Sequence, residues 1–332
     1  MVRPVNMTEV ASRAGVSVTT VSHVLSGRRP VAEATRATVL AVIEQLGYRP
    51  NTLAQGLRTR RTMTVGLVVP DLTNPFYPAV LQGMADVLLP AGYHTVVCNT
   101  GGSRDEELSF LTDLTTRQVD GIVIAAFGLN RKDLLAHREV PLVRLGGGRF
   151  DADLGDLVRS DDEGGIAQAV RHLIERGHRR VAYIGGAAHA GPSDQREAGY
   201  RRALAEDGRP VEDDLVVQTA YTRDAGRAAA ERLLGRDDPP DAIACANDLI
   251  AIGVLDAARA RGLTVPDDLA VTGYDDIEAA SLVTPGLTTV VNPAAEIGRA
   301  CAESLLPRLT ADEPGPPREI VIATTLTRRE SA

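Results

Sequence analysis

Apolar positions in the first fifty residues recur at helical spacing. Val10, Ala11 and Ala14 fall on one face of a helix over 8–14, and Gly15 stops it. Ser17 is placed to cap a second helix, in which Val21, Val24 and Leu25 turn inward. A third helix runs to Leu46, with Val39, Val42, Ile43 and Leu46 inward and Gly47 just past its end. Ala32 stands where a capping hydroxyl would open that helix. The stretch GYRPN (47–51) breaks the rhythm, residues 51–58 suit one more short helix, and 58–64 read as a polar, basic linker.

From Met63 the pattern changes to short apolar runs between amphipathic segments. MTVGLVVP, HTVVC, GIVIAA and PLVRL read as strands, with helices over 76–91 and 105–118. A second series follows, with RVAYIGG, DAIACA and LAVTGY as strands and helices over 163–176, 195–206, 225–234 and 248–261. Apolar strands between helices mean parallel sheets covered on both faces, whose ligand loops gather at the carboxyl ends of the strands. Two such series predict two lobes with a cleft between them.

Composition narrows the setting. No run of eighteen apolar residues offers a membrane span, and the N-terminus lacks the apolar core of a secretory signal. Cys98, Cys245 and Cys301 are odd in number and widely separated, which argues against a disulfide framework or a zinc site. The expectation is a cytoplasmic chain with no membrane association, no metal and no cofactor. The net charge of −8 hides an asymmetry. Residues 1–61 hold nine arginines and three acids, a formal +6, and the remainder carries 27 basic and 41 acidic residues, a formal −14. A basic head on an acidic body points to a polyanion-binding module joined to something that does not bind polyanions.

With Val21, Val24 and Leu25 inward, the outer face of the second helix carries Val18, Thr19, Ser22 and His23 at i, i+4 spacing. In a helix–turn–helix this is the face that enters the major groove. The hydroxyls of Ser17, Thr20 and Ser22 suit phosphate contacts, which need short donors. Periodicity alone is equally compatible with a plain three-helix bundle; the charge asymmetry favours DNA.

At this point the chain resembles the LacI/GalR family of bacterial transcription regulators. The matching blocks are MTEVASRAGVSVTTVSHVLSG, VLAVIEQLGYRPNTLAQGLRT, GLVVPDLTNPFY, HLIERGHRRVAYIGG, REAGY, ANDLIAIGVLDAARARGLTVPDDLAVTGYDD and PGLTTV, in order over nearly the whole chain. The resemblance implies a small all-α helix–turn–helix head (1–49), a hinge helix and linker (50–62), and an α/β body (63–330). The body would be two Rossmann-like lobes of periplasmic-binding-protein (type I) architecture, closing on a small molecule. It implies a ligand-responsive repressor, a homodimer on a palindromic operator in double-stranded DNA, with a sugar, polyol or nucleoside as effector. Thr8, Ser17, Val18, Thr19, Thr20, Ser22, His23, Tyr48, Asn51 and Leu57 fall at DNA-contacting positions, Leu57 as the wedge that kinks the central base step. His23 replaces the arginine that usually forks onto guanine, which leaves the operator sequence open. Gly56, beside the wedge, suits a segment that orders only when both DNA and the partner subunit are present.

In the body the resemblance places Arg196, Asn247 and Asp275 at the cleft, Asp275 as an acceptor for sugar hydroxyls and Arg196 as a two-bond donor. Asn247 precedes a helix and is equally placed to be its cap. In the first lobe, Asn74 offers hydrogen bonds and Phe76 a ring to stack on a sugar, although Phe76 and Tyr77 also suit the core. Many relatives carry an aspartate after the PLVRL strand; here Gly146, Gly147, Gly148 and Arg149 follow, which removes an acceptor and enlarges the pocket. The chain shows neither a dinucleotide fingerprint nor a Walker lysine, nucleophile elbow or HExxH motif, and His172 and His178 read as solvated surface, so no enzyme is expected. A solute-binding receptor would explain the body and not the head. No leucine-heptad tail follows the body, so no coiled-coil tetramer is expected.

Overall fold

The computed structural model describes residues 5–26, 29–48, 61–147, 151–187, 191–311 and 315–332. The chain divides into two compact units, Met1–Thr62 and Met63–Ala332.

The first unit contains α1 (Met7–Ala14), α2 (Val18–Ser26) and α3 (Glu33–Leu46). Asn6 opens α1 by accepting from the Glu9 N–H at 2.9 Å, and Gly15, at φ +66°, closes it in the left-handed conformation that favours glycine. Ser17 Oγ accepts from the Thr20 N–H at 3.1 Å and caps α2. Ala32 makes no side-chain cap on α3, and Gly47 ends that helix at φ +60°. Val10, Val21, Val24 and Val39 are buried together as the core, with Val42, Ile43 and Leu46 packed against them. The span 51–58, and with it the hinge helix, Gly56 and the Leu57 wedge, lies outside the described residues.

The second unit holds two six-stranded sheets. In lobe one, β1 (Thr64–Val69), α4 (Phe76–Leu88), β2 (His94–Asn99), α5 (Arg104–Thr116), β3 (Gly121–Ile124), α6 (Arg131–Leu135), β4 (Leu142–Leu145) and β5 (Asp156–Ser160) follow in turn. Lobe two is built from α7 (Asp162–Glu175), β6 (Val181–Gly185), α8 (Ser193–Glu206), β7 (Val216–Gln218), α9 (Arg223–Leu234), β8 (Ala242–Cys245), α10 (Asp248–Ala260), β9 (Ala270–Asp275), α11 (Glu278–Leu282) and β10 (Thr288–Val291). The chain then returns to lobe one with α12 (Ala294–Thr310) and β11 (Glu319–Ile322), and ends in lobe two with β12 (Thr325–Thr327).

The sheet orders are β2-β1-β3-β4-β5-β11 and β7-β6-β8-β9-β10-β12, so the lobes repeat one doubly wound plan. All pairs are parallel except β10–β12. The fully buried strands explain the unbroken apolar runs; β1, β6, β8 and β9 expose almost nothing. The chain therefore crosses between lobes three times: at Ser160–Asp162, after β10 through Asn292, and between β11 and β12. Sequence pattern identified the two series but not this exchange.

Helices pack at glycines. A Cβ on Gly83 of α4 would fall on the Ala295 carbonyl of α12, and one on Gly298 of α12 would fall on the Val80 carbonyl of α4. This approach lets α12 cover β3 to β5 although it is distant in sequence. One surface expectation is corrected. His172 is only 7% exposed, because α7 is enclosed by the lobe-two sheet and α8 and buries more than one stripe. Cys98, Cys245 and Cys301 are buried and unpaired. Among the described residues no helix is long and apolar enough to cross a membrane.

Candidate functional site

The exposed side of α2 carries Thr19 and Val18, the latter 42% exposed although apolar, with Ser22 and His23 half-buried beside them. The Ser17 and Thr20 hydroxyls lie 2.9 Å apart and share one hydrogen bond, leaving the helix start with short polar groups and no acid. Thr8 is exposed on α1. Tyr48 differs from expectation: it is 8% exposed and belongs to the core of the head, because the Gly47 turn directs the chain back, with the Tyr48 N–H bonded to the Ile43 carbonyl at 3.0 Å. Asn51 and Leu57 lie outside the described residues.

In the body a cavity of about 580 Å³ opens between the lobes at the carboxyl ends of the strands. Asn74, Phe76, Arg196 and Asp275 all line it. Phe76 stands edge-on to Tyr77, with centroids 5.2 Å apart, while Asn74 Oδ1 accepts the Phe76 N–H at 3.1 Å and opens α4. Asn247 does not line the cavity. Its Oδ1 accepts the Ile250 N–H at 2.9 Å and it is 1% exposed, so its carboxamide is the cap of α10. Gly147, at φ +55°, passes so close to Gly191 of lobe two that a Cβ would stand 2.6 Å from its carbonyl carbon. Gly147 thus lets the lobes approach at this point. Gly148 and Arg149 lie outside the described residues.

The floor of the cavity is a buried ion cluster. Arg196 donates from Nε to Asp162 Oδ1 at 2.7 Å and from Nη1 to the Ala246 carbonyl at 2.6 Å, and its Nη2 lies 3.9 Å from Asp275 Oδ1. The guanidinium stacks on the Tyr274 ring, 3.8 Å from its centroid. Burial opposes the Arg196 charge, and Asp162 and Asp275 more than offset it, so the group stays cationic. Asp275 also accepts from Asn292 Nδ2 at 3.0 Å. Its backbone sits at φ +112° and that of Asp276 at +54°, where non-glycine residues are uncommon. The loop is fastened by buried Asp248, which accepts the Ile277 N–H at 2.8 Å, and by the Asp276–Arg329 ion pair at 2.7 Å.

Burial pushes the Asp275 carboxyl up to about 6, with Arg196 and Asn292 holding it from rising further. The raised value means the ionised acceptor is lost as pH falls through about 6. Affinity for a ligand that donates to Asp275 is accordingly expected to be full at mildly alkaline pH and to drop by about tenfold for each unit below that point. Calorimetric titration across the range checks this; a flat profile contradicts the acceptor role.

Sequence reasoning overlooked Asp162, Asn292, Phe127, Tyr221 and Glu107, which also line the cavity. Phe127 and Tyr221 follow the carboxyl ends of β3 and β7, where aromatic residues are worth marking. Asp162 and Asn292 sit on lobe crossings, which no local pattern reveals.

A helix–turn–helix unit joined to a two-lobed body, with an interlobe cavity built on a buried ion cluster, defines a DNA-binding regulator with a ligand-sensing body. The comparisons agree. Residues 6–51 match the model of bacterial regulatory proteins of the lacI family, and residues 170–332 match that of a periplasmic binding protein-like domain. Catabolite control protein A of Priestia megaterium is 38% identical, with 89% of each chain covered. Among solved structures, a CelR transcriptional regulator–cellobiose complex is 36% identical with a TM-score of 0.75, covering 99% of this chain and 100% of that one. A lac repressor dimer bound to operator and the anti-inducer ONPF is 26% identical with a TM-score of 0.85, covering 99% of both chains. The chain belongs to the lacI family of bacterial regulatory proteins. It is a ligand-responsive DNA-binding transcriptional regulator, and these relatives are regulators rather than enzymes.

Proposed function

We propose that the protein is a cytoplasmic homodimeric repressor that binds a roughly palindromic operator through two heads and takes a sugar-like effector in the interlobe cavity. The observation that carries the effector reading is the buried guanidinium held between two carboxylates on the floor of a cavity large enough for a mono- or disaccharide. Such a floor offers fixed donors and acceptors to a ring of hydroxyls. Phe76, Phe127 and Tyr221 supply apolar and aromatic faces in the same wall. A relative solved with cellobiose and another solved as a dimer on its operator support the same assignment.

In the head, Val18, Thr19 and His23 read bases while Thr8, Ser17, Thr20 and Ser22 position the helix on phosphates, and Asn51 and Leu57 act in the hinge. Binding to DNA from the gene's own upstream region tests the DNA half of this reading. Retardation is expected, with affinity falling steeply as salt rises, because arginines release counterions from phosphate. Salt-insensitive binding, or none, contradicts it. A free solute receptor would show neither.

A further inference from the structure

We propose that the cleft selects a ligand that donates hydrogen bonds to Asp162 as well as to Asp275 and carries no anionic group: a neutral or amino-substituted sugar or polyol, not a sugar phosphate or sugar acid. The proposal rests on the effector reading above and narrows its chemistry.

Charge supplies the first argument. Among the described residues lining the cavity, four are acids, Asp71, Glu107, Asp162 and Asp275, and two are cations, Arg159 and Arg196. Both cations are already engaged. Arg159 donates from Nε to Glu319 at 2.7 Å, and Arg196 is held by Asp162 at 2.7 Å and faces Asp275 at 3.9 Å. A phosphate or carboxylate entering this space would meet an excess of negative charge from these residues, without an unengaged guanidinium among them to receive it.

The second argument is an unmet acceptor. Asp162 is 1% exposed, and its Oδ1 takes the Arg196 Nε–H. Its Oδ2 has no hydrogen-bond partner among the described residues. A buried carboxylate oxygen left unpaired is costly, so a ligand donor delivered to it is worth more than one exchanged with water. Asp275 stands 3.9 Å from Nη2 of the same guanidinium, so one hydroxyl-bearing ring can address both carboxylates. Asp162 also begins α7 directly after the first lobe crossing, and Asn292, which binds Asp275, lies on the second. The two acceptors are therefore tied to the segments that join the lobes.

The test is calorimetric titration of the full chain with matched probes: glucose, ribose and cellobiose against glucose 6-phosphate, glucuronate, ribose 5-phosphate and cellobionate. At least one neutral probe is expected to bind, with its anionic counterpart at least roughly tenfold weaker. An anionic probe that binds as tightly as its neutral counterpart overturns the inference while leaving the effector reading in place. Failure of every probe overturns the sugar-effector reading itself, and this inference with it. Asp162→Asn keeps the side-chain shape, and its thermal midpoint without ligand serves as the folding control. It is expected to weaken the neutral probe by roughly ten- to hundredfold and to narrow the gap to the anionic one. Unchanged affinity and an unchanged gap remove Asp162 from the site. The discrimination shown by the unmodified chain stands as a test should the variant fail to fold.

Discussion

Replacing Arg196 by methionine is expected to abolish the effector response and to lower the thermal midpoint of the body. Methionine preserves the length of the side chain but leaves Asp162 and Asp275, both nearly inaccessible, without the cation between them. Removing one member of a buried ion cluster costs about 3–5 kcal/mol, because the remaining charge is uncompensated. The sign of the pH dependence separates this cause from lost packing. Without Arg196 the Asp275 carboxyl, already raised by burial, rises further above its ordinary range, and a raised acid penalises the folded state only above its unfolded value. The deficit should therefore be largest at alkaline pH and shrink on mild acidification. Differential scanning calorimetry at several pH values reads it directly. A deficit independent of pH assigns the loss to packing, and an intact effector response contradicts the role of Arg196.

A second substitution strikes lobe one. Asp156 is fully buried at the start of β5 and accepts from Arg308 Nε and Nη2, each at 2.7 Å, from the Arg318 N–H at 2.6 Å and from Ser304. One carboxylate thus joins β5 to α12 and to the segment entering β11, the elements that close lobe one after the chain has crossed over and back. Burial works against its charge, and the bonds from Arg308, Ser304 and Arg318 outweigh it, so the carboxyl sits below the usual range. Asp156→Asn places an amide donor among donors and is expected to cost about 3–5 kcal/mol. For a body of this size that is a fall in midpoint on the order of 10 °C. The unmodified chain carries the matching acid limit. A depressed carboxyl contributes its stability fully above its unfolded value of about 3.9 and loses it as pH falls through the folded value. The variant should lack that acid-sensitive component; an unchanged midpoint contradicts the clamp.

Much of this architecture is legible along the chain because its signals are local. The head helices follow from Val10, Val21 and Val39 at helical spacing and from Gly15 and Gly47 in left-handed turns. The buried strands of both lobes follow from their apolar runs. The exchange of α12 and β11 is not legible, since nothing in residues 294–322 says which sheet they join; Gly83 and Gly298 acquire meaning only once their helices touch. The site divides in the same way. Asp275 and Arg196 stand beside strand and helix ends that sequence locates. Asp162 and Asn292 become site residues through the lobe crossings, and Tyr48 and His172 are buried by neighbours distant in sequence. Asn247 satisfied two local rules at once, and the geometry of α10 makes it a cap.

The central claim is that occupancy of the interlobe cavity and binding of DNA are coupled. Fluorescence anisotropy of a labelled upstream DNA, titrated with protein in the absence and presence of the neutral sugar that binds best in the calorimetric panel, tests it most directly. The predicted result is a shift of at least roughly fivefold in the DNA dissociation constant, matched by the same factor in sugar affinity when DNA is bound, as linkage requires. A sugar that fills the cavity while leaving the DNA affinity unchanged would contradict the account.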